Sequence, residues 1–367
     1  MTTTKQERII ETLHTKVAID PTEEVAFRVK FLKDYLTHSR MHGFVLSISG
    51  GQDSSLAGRL CQIAVYKRSA IYKGASTMTL STQKARANQF RELRHGPSPL
   101  LLPNAWDAAS ACLLAQAGFK AIATTSSGVA ASLGYPDGQH INREMLIEVV
   151  ARMTRVITCP LSVDLEAGYG ENIAEIIQTV KAIIAAGAVG INIEDSTKQR
   201  EQSLVDVSFQ VELLKAIRET ASSMDMPLVI NARTDVFLLP ADASGGFEEA
   251  VQRLNAYRQA GADCLFPIGV SDADTIANLV QAIHGPINIV AGPRTPALPE
   301  LMQLGVARVS FASGLMRATL AHLRRIAREL LGPGTYTTMS EMVPMADLRN
   351  CFEGKPQYRD AAARLNC

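Results

Sequence analysis

Leu161-Ser-Val-Asp-Leu-Glu-Ala-Gly-Tyr-Gly170 is the stretch on which the fold turns. It opens with a short apolar run of β type, Leu161–Asp164, and breaks in a Gly-containing turn. Asn172 to Ala186 then repeats its apolar residues near every 3.6 positions, as an amphipathic helix does. Ala186-Gly187 places Gly where a helix ends in a left-handed cap, and Gly190–Glu194 is again a β-type run. This β–turn–α–Gly–β phrase recurs on both sides. The other strand candidates are Leu100–Pro103, Ala121–Thr124, Leu228–Asn231, Asp263–Phe266, Ile287–Val290 and Arg308–Phe311. Phe247–Ala260 and Gly314–Leu331 are further helices, and Ala117-Gly118, Ala260-Gly261 and Leu304-Gly305 repeat the Gly stop. A series of eight βα units over roughly 230 residues predicts an α/β fold of the (β/α)8 TIM barrel type. No GxGxxG follows any strand, which argues against an open dinucleotide-binding sheet.

In such a barrel the chemistry sits at the C-terminal ends of the strands. Those ends carry Asp164 and Glu166, then Glu194-Asp195, then Asn231-Ala-Arg233-Thr-Asp235, with Asp137 in the Pro-Asp-Gly turn after the second strand. Carboxylates that converge repel one another unless a cation lies between them. Oxygen-only donors suit Mg²⁺ (or Mn²⁺). For each residue a plainer reading stands beside this one: Asp137 as a turn residue, Arg233 as the neutraliser of Asp235 or Glu194.

The 367 residues are 47% hydrophobic and 20% charged, with 37 Lys+Arg against 36 Asp+Glu and a net charge of +1. Without a basic run there is no counterion-release drive toward nucleic acid or an anionic membrane surface. The opening MTTTKQERIIETLHTK has no apolar core of a targeting signal, and no apolar stretch is long enough to span a bilayer. Six cysteines, none in a CxxC pair, predict reduced thiols and a cytoplasmic protein.

The chain changes character near residue 75. Glu23–Leu36 is a helical pattern after Asp20-Pro21, and Phe44–Ser49 is a β-type run feeding Gly50-Gly51-Gln52-Asp53-Ser54 and a helical pattern from Leu56 to Tyr66. Strand, Gly-rich turn and helix start together make an anion site. This segment resembles the N-terminus of ammonia-dependent NAD synthetase. The resemblance implies a pyrophosphate loop at Ser49, Gly50, Gly51, Asp53 and Ser54. It stops after Lys67, before the further units a nucleotide site needs. The expected organisation is therefore a truncated, fused synthetase-like leader at 1–68 holding a vestigial nucleotide loop, a linker at 69–81, the barrel at 82–340, and a helical, subunit-contacting tail at 341–367.

Leu102-Pro-Asn-Ala-Trp-Asp-Ala-Ala-Ser110, Ser127-Gly128, Asp164–Gly170, Ile193-Glu-Asp195 and Asn231–Asp235 resemble the isocitrate lyase/phosphoenolpyruvate mutase superfamily over residues 82–340. The resemblance implies direct Mg²⁺ ligation by Asp164, with Asp137, Glu166 and Glu194 acting through waters. It implies that Arg233 pairs with a substrate carboxylate, and that Ser127 with the N–H groups of Gly128 and Val129 binds carboxylate and oxyanion. It also implies a homodimer or homotetramer with a swapped C-terminal helix. The chemistry implied is C–C cleavage or hydrolysis of an oxaloacetate- or methylisocitrate-like 2-oxo or 2-hydroxy acid, through an enolate that the metal stabilises. P–C phosphonomutase or phosphonopyruvate hydrolase chemistry is the alternative. A barrel that only senses oxyacids and ATP-dependent NAD synthesis by the leader are the remaining readings. After the fourth strand the lyases carry a Cys-Gly-His run. Here Ser196-Thr-Lys-Gln-Arg-Glu-Gln-Ser203 stands instead, so the proton-transfer candidates are Lys198, Arg200 and Tyr169.

Overall fold

The computed structural model describes residues 25, 27–32, 34, 78–93, 96, 98–196, 203–239 and 246–353. Two compact units divide the chain, Met1–Ala75 and Ser76–Cys367. In the first, the described residues between Val25 and Asp34 are helical, with Val29 buried at 3% exposure. The Ser49–Ser54 loop, most of the 69–81 linker, Lys198, Arg200 and the tail beyond residue 353 lie outside the described residues.

The second unit is a closed parallel barrel. β1 (Leu100–Leu102) and β2 (Asn104–Ala105) are halves of one strand parted at Pro103. Pro103 has no N–H to continue a ladder, and its carbonyl accepts from Ala123 N at 2.9 Å. β1 pairs with β9 (Arg308–Ser310), and β2 pairs with β3 (Ile122–Thr124). From β3 the order runs through β4 (Leu161–Asp164), β5 (Gly190–Glu194), β6 (Val229–Thr234) and β7 (Cys264–Pro267). A parallel bridge between Leu265 and Ile287 joins β7 to β8 (Asn288–Val290), which pairs with β9 and closes the ring. The expected (β/α)8 TIM barrel is what the chain forms.

α1 (Leu80–Glu92) precedes the barrel, and most helices that follow the strands have side-chain N-caps. In α2 (Ala108–Gln116) Asp107 and Ser110 form a reciprocal capping box. Short α3 (Ser126–Ser132) starts at Thr125, α4 (Arg143–Val156) at Asn142, and α5 (Ile173–Ala185) at Asn172. α6 (Val207–Ser223), α7 (Phe247–Gln259), α8 (Ala273–Ala282), α9 (Leu298–Gln303), α10 (Gly314–Leu331) and α11 (Met345–Glu353) complete the set. The four Gly stops read from the sequence, Gly118, Gly187, Gly261 and Gly305, all have φ between 86° and 106°. A side chain there would be strained.

Strand alternation sends Ile191, Ile193, Ile230, Ala232, Ile289 and Val309 into the buried apolar layer under the helices. The alternate positions include Asn104, Thr124, Ser162, Asn192, Asn231, Asn288, Arg308 and Ser310, all buried. A barrel interior of this type is usually filled by layers of branched aliphatic residues. Here it is polar, and that polarity makes the site.

α1 lies at the N-terminal end of the strands. Gln83 Nε2 donates to the carbonyls of Ile184 and Ala188 at 2.7 and 2.9 Å. Phe90 packs so closely on Gly190 that a Cβ there would sit 2.6 Å from its ring. Helix α1 begins at Leu80 because Thr79 caps it, accepting from Thr82 N.

The thiol reading needs correction. Cys112 on α2 and Cys351 on α11 form a disulfide with Cα atoms 5.8 Å apart, while Cys159 and Cys264 are free and buried. The partners are 239 residues apart and meet only because α11 docks on α2, a contact without a sequence signature. Leu320, Leu323, Leu330 and Leu331 of α10 are exposed. Among the described residues no helix is long and apolar enough to cross a membrane.

Candidate active site

A cavity of about 280 Å³ opens at the C-terminal ends of the strands, lined among others by Ser126, Ser127, Asp137, Asp164, Asn192, Arg233 and Arg308. A hollow of about 420 Å³ elsewhere is lined by residues including Leu93, Leu101 and Phe119, with Lys120 its sole charged lining residue among those described. Volume alone would choose that hollow, but the converging polar groups choose the first.

Asp164 ends β4 inside this cavity. Its Oδ1 accepts from Asn192 Nδ2 at 3.0 Å and Glu166 N at 3.3 Å, and its Oδ2 accepts from Ser126 N at 3.1 Å. Asn192 in turn accepts from Asn231 Nδ2 at 2.7 Å. Three neighbouring strands thus aim one carboxylate through a chain of neutral amides.

Glu166 is turned away from the cavity. Its Oε2 accepts from Gly138 N and Gln139 N at 3.1 and 2.9 Å, and its Oε1 from Tyr169 Oη at 2.7 Å. It therefore fastens the 138–139 turn, which follows Asp137, to the end of β4. Burial first, and then the Glu166 charge, push the Tyr169 hydroxyl far above its ordinary pKa, so it stays a donor. Gln139, Glu166 and Tyr169 have φ of 59°, 52° and 57°, backbone that is costly for residues with side chains. The strain is concentrated where these two loops meet.

Arg233, two residues before Asp235, lies between carboxylates. Its NH1 is 2.9 Å from Glu194 Oε2, and its Nε and NH2 donate to Asp235 at 2.5 and 3.0 Å. Burial opposes the guanidinium charge, but Glu194 and Asp235 outweigh it and raise the pKa. Three of its five N–H donors are engaged by these carboxylates, and the other two have no partner among the described residues. Glu194 Oε1 also accepts from Ser196 Oγ at 2.7 Å.

The sequence reading placed Asp195 at a strand end but gave it no role. Fully buried, it accepts from Asp235 N at 3.0 Å and from Thr234 and Tyr257 hydroxyls at 2.7 Å, so it fixes the end of β6 under Arg233. Burial raises its pKa against those donors. Asn192, Asn104, Ser162 and Arg308 were missed. The available signal was spacing: Ser162 precedes Asp164, Asn192 precedes Glu194 and Asn231 precedes Arg233 by two residues, which puts each pair on one face of its strand.

Ser127 lines the cavity, but the backbone donors of Gly128 and Val129 are directed elsewhere. Gly128 N donates to Thr125 Oγ1 at 3.4 Å and Val129 N to the Thr125 carbonyl at 2.9 Å. The donor of this helix start that reaches a site residue is Ser126 N. Gly128 has another necessity, since a Cβ would stand 2.6 Å from Thr125 and 2.9 Å from Trp106.

Among the described residues no three His, Cys, Asp or Glu side chains form a ready-made metal shell. Asp164 and Asp137 do line the same cavity. One or two carboxylates with room for water fit Mg²⁺, which gives up its waters reluctantly. The donor set is thus compatible with a hard divalent ion held partly by solvent.

Comparison with known proteins identifies the family of the barrel. Residues 90–331 match the family model described as phosphoenolpyruvate phosphomutase, and residues 24–92 match that described as NAD synthase. The latter extends over α1, which belongs to the second unit. The 2-methylisocitrate lyase of Escherichia coli K12 is 30% identical over 257 residues, 67% of this chain and 84% of its own. A solved Burkholderia cenocepacia J2315 structure, described as that of a lyase/mutase, is 36% identical with a TM-score of 0.68, covering 75% of this chain and 98% of its own. The structure of 2,3-dimethylmalate lyase is 25% identical with a TM-score of 0.65, covering 73% and 94%.

Proposed function

Since the chain belongs to the phosphoenolpyruvate mutase/isocitrate lyase superfamily, we propose that its barrel is a Mg²⁺-dependent (or Mn²⁺-dependent) cytoplasmic lyase. Its substrate is a small 2-oxo or 2-hydroxy carboxylate, oxaloacetate- or methylisocitrate-like, whose C–C bond it cleaves. The observation that carries this reading is the convergence of Asp164, Asp137, Ser127 and Arg233 on one cavity at the C-terminal rim. Kinship with a 2-methylisocitrate lyase and a 2,3-dimethylmalate lyase supports C–C chemistry, and the matched phosphoenolpyruvate phosphomutase model supports P–C chemistry as the alternative.

Asp164 and Asp137 hold the ion, with Glu166 and Glu194 behind them. When bound, Mg²⁺ supplies positive charge against the electron density that develops as the bond breaks. The two remaining N–H groups of Arg233 orient a substrate carboxylate. Ser127 donates from the opposite wall. Tyr169 Oη keeps its proton on Glu166 and thereby positions the Asp137 turn. Lys198 and Arg200, both outside the described residues, then stand as the candidates for protonating the released carbon. The exposed leucines of α10 support a homodimer or homotetramer.

A panel assay tests the reading. Oxaloacetate, 2-methylisocitrate, isocitrate, phosphonopyruvate and phosphoenolpyruvate are offered with Mg²⁺ to the full chain and to residues 78–367. We expect C–C cleavage of one of the first three by both proteins, lost on chelation. Turnover of the phosphonates alone would move the assignment to phosphonomutase or hydrolase chemistry, and turnover of none would sink it. ATP binding by the full chain but not by 78–367 would revive a nucleotide role for Ser49–Ser54.

A further inference from the structure

Arg308 enters the barrel from the start of β9 with 5% of its surface exposed, and it lines the cavity beneath Asp164. Among the described residues its Nε has no hydrogen-bond partner, and no ion pair includes it. Asp164 is the carboxylate whose charge reaches it. Burial pulls its pKa down, as it does for a cation without a close counter-ion. Nearby interior positions are also short of partners: Ser162 Oγ and the Oδ1 atoms of Asn231 and Asn288 are buried and unpaired.

Arg233 and Arg308 are thus unlike. Arg233 carries two protein carboxylates, so much of its charge is already answered. Arg308 has no such neutralisation and faces the same cavity. A buried guanidinium with an unpaired N–H is costly, and an anionic partner relieves that cost.

We propose that Arg308 forms a floor subsite for a second anionic group of the ligand, a carboxylate or a phosphonate, distal to the 2-oxo or 2-hydroxy acid end held at the rim. The inference rests on the lyase reading above and assigns the residue that receives the second acid group of such substrates. Ser127 and Asp137 from the segment after β3 and Arg308 and Ser162 from the strands line one cavity of about 280 Å³, room for a small dianion. The rival role is a fixed counter-charge to Asp164, and the two differ in what they discriminate.

Malate and lactate share one end and differ in the distal carboxylate. Calorimetric titration of the full chain with Mg²⁺ present, without turnover, compares them. A charge-assisted contact predicts that malate binds about ten- to hundred-fold more tightly than lactate. Arg308→Met should bring malate to the lactate level and leave lactate within about two-fold, and Arg308→Lys should recover part of the difference. A phosphonopyruvate arm identifies the distal group by whichever dianion binds more tightly. Equal malate and lactate binding by the unaltered protein overturns the proposal, whether or not the variants fold. So does a variant that weakens both ligands alike. Failure of the lyase reading would show instead as absent turnover in the substrate panel.

Discussion

At the N-terminal end of the barrel, Asp263 lies between two arginines: Arg218 NH2 at 2.5 Å and Arg91 NH2 at 3.5 Å, with Ile230 N donating at 2.9 Å. At the C-terminal rim, Asp164 is held by two backbone amides and one asparagine, all neutral. Both acids are fixed in place by strand ends. The lower one has its charge cancelled and ties α1 and α6 to β6 and β7. The upper one keeps its charge available, because neutral donors orient a carboxylate without neutralising it. One residue type thus serves cohesion at one end and chemistry at the other.

The largest effect expected from this contrast is at Asp164. Asp164→Asn keeps the shape, so its melting temperature should stay within a few degrees, while kcat/KM for the accepted substrate falls by about a thousand-fold or more. A variant that melts early but turns over normally would place Asp164 among the structural acids.

Asp263→Asn should do the reverse. It leaves Arg218 and Arg91 without their carboxylate and should cost about 3–5 kcal/mol in urea unfolding, with kcat of the folded enzyme unchanged. Arg218, the Ile230 N–H and Arg91 hold the Asp263 pKa below its ordinary value despite burial. Its contribution is therefore present above the unfolded carboxylate pKa and lost as pH falls. The difference between the native protein and Asp263→Asn should narrow on acidification. A difference independent of pH would break the comparison.

A smaller effect belongs to Cys159, buried just before β4. Burial pushes its thiol from 9.0 up to about 11. Between those values the unfolded chain releases the proton and the folded one keeps it, so stability should decline across that interval. Cys159→Ala should flatten this part of the alkaline unfolding curve, and an unchanged slope would assign the decline to other groups.

Much of the fold was legible in the chain because a barrel repeats one local phrase. β-type runs, helical periods and Gly stops each depend on neighbours in sequence, and every strand candidate corresponds to a strand. The acids at the rim were legible for the same reason, since a residue that ends a strand must lie at the barrel mouth. The direction of individual donors was not. Gly128 and Val129 sit in the expected helix start, yet their N–H groups turn to Thr125, because local capping competes with the cavity for them. Arg233 pairs with Glu194 and Asp235, as the plainer reading expects, and it also lines the cavity.

Local periodicity and turn chemistry by themselves determined that this chain makes a parallel barrel with acids at one mouth. Only the tertiary structure decided which of those acids face a cavity, that Cys112 meets Cys351, and that Arg308 shares the cavity of Asp164 with its Nε unpaired among the described residues. Those outcomes depend on distances between segments far apart in sequence, set when the ring of strands closes, and no window of neighbouring residues contains them.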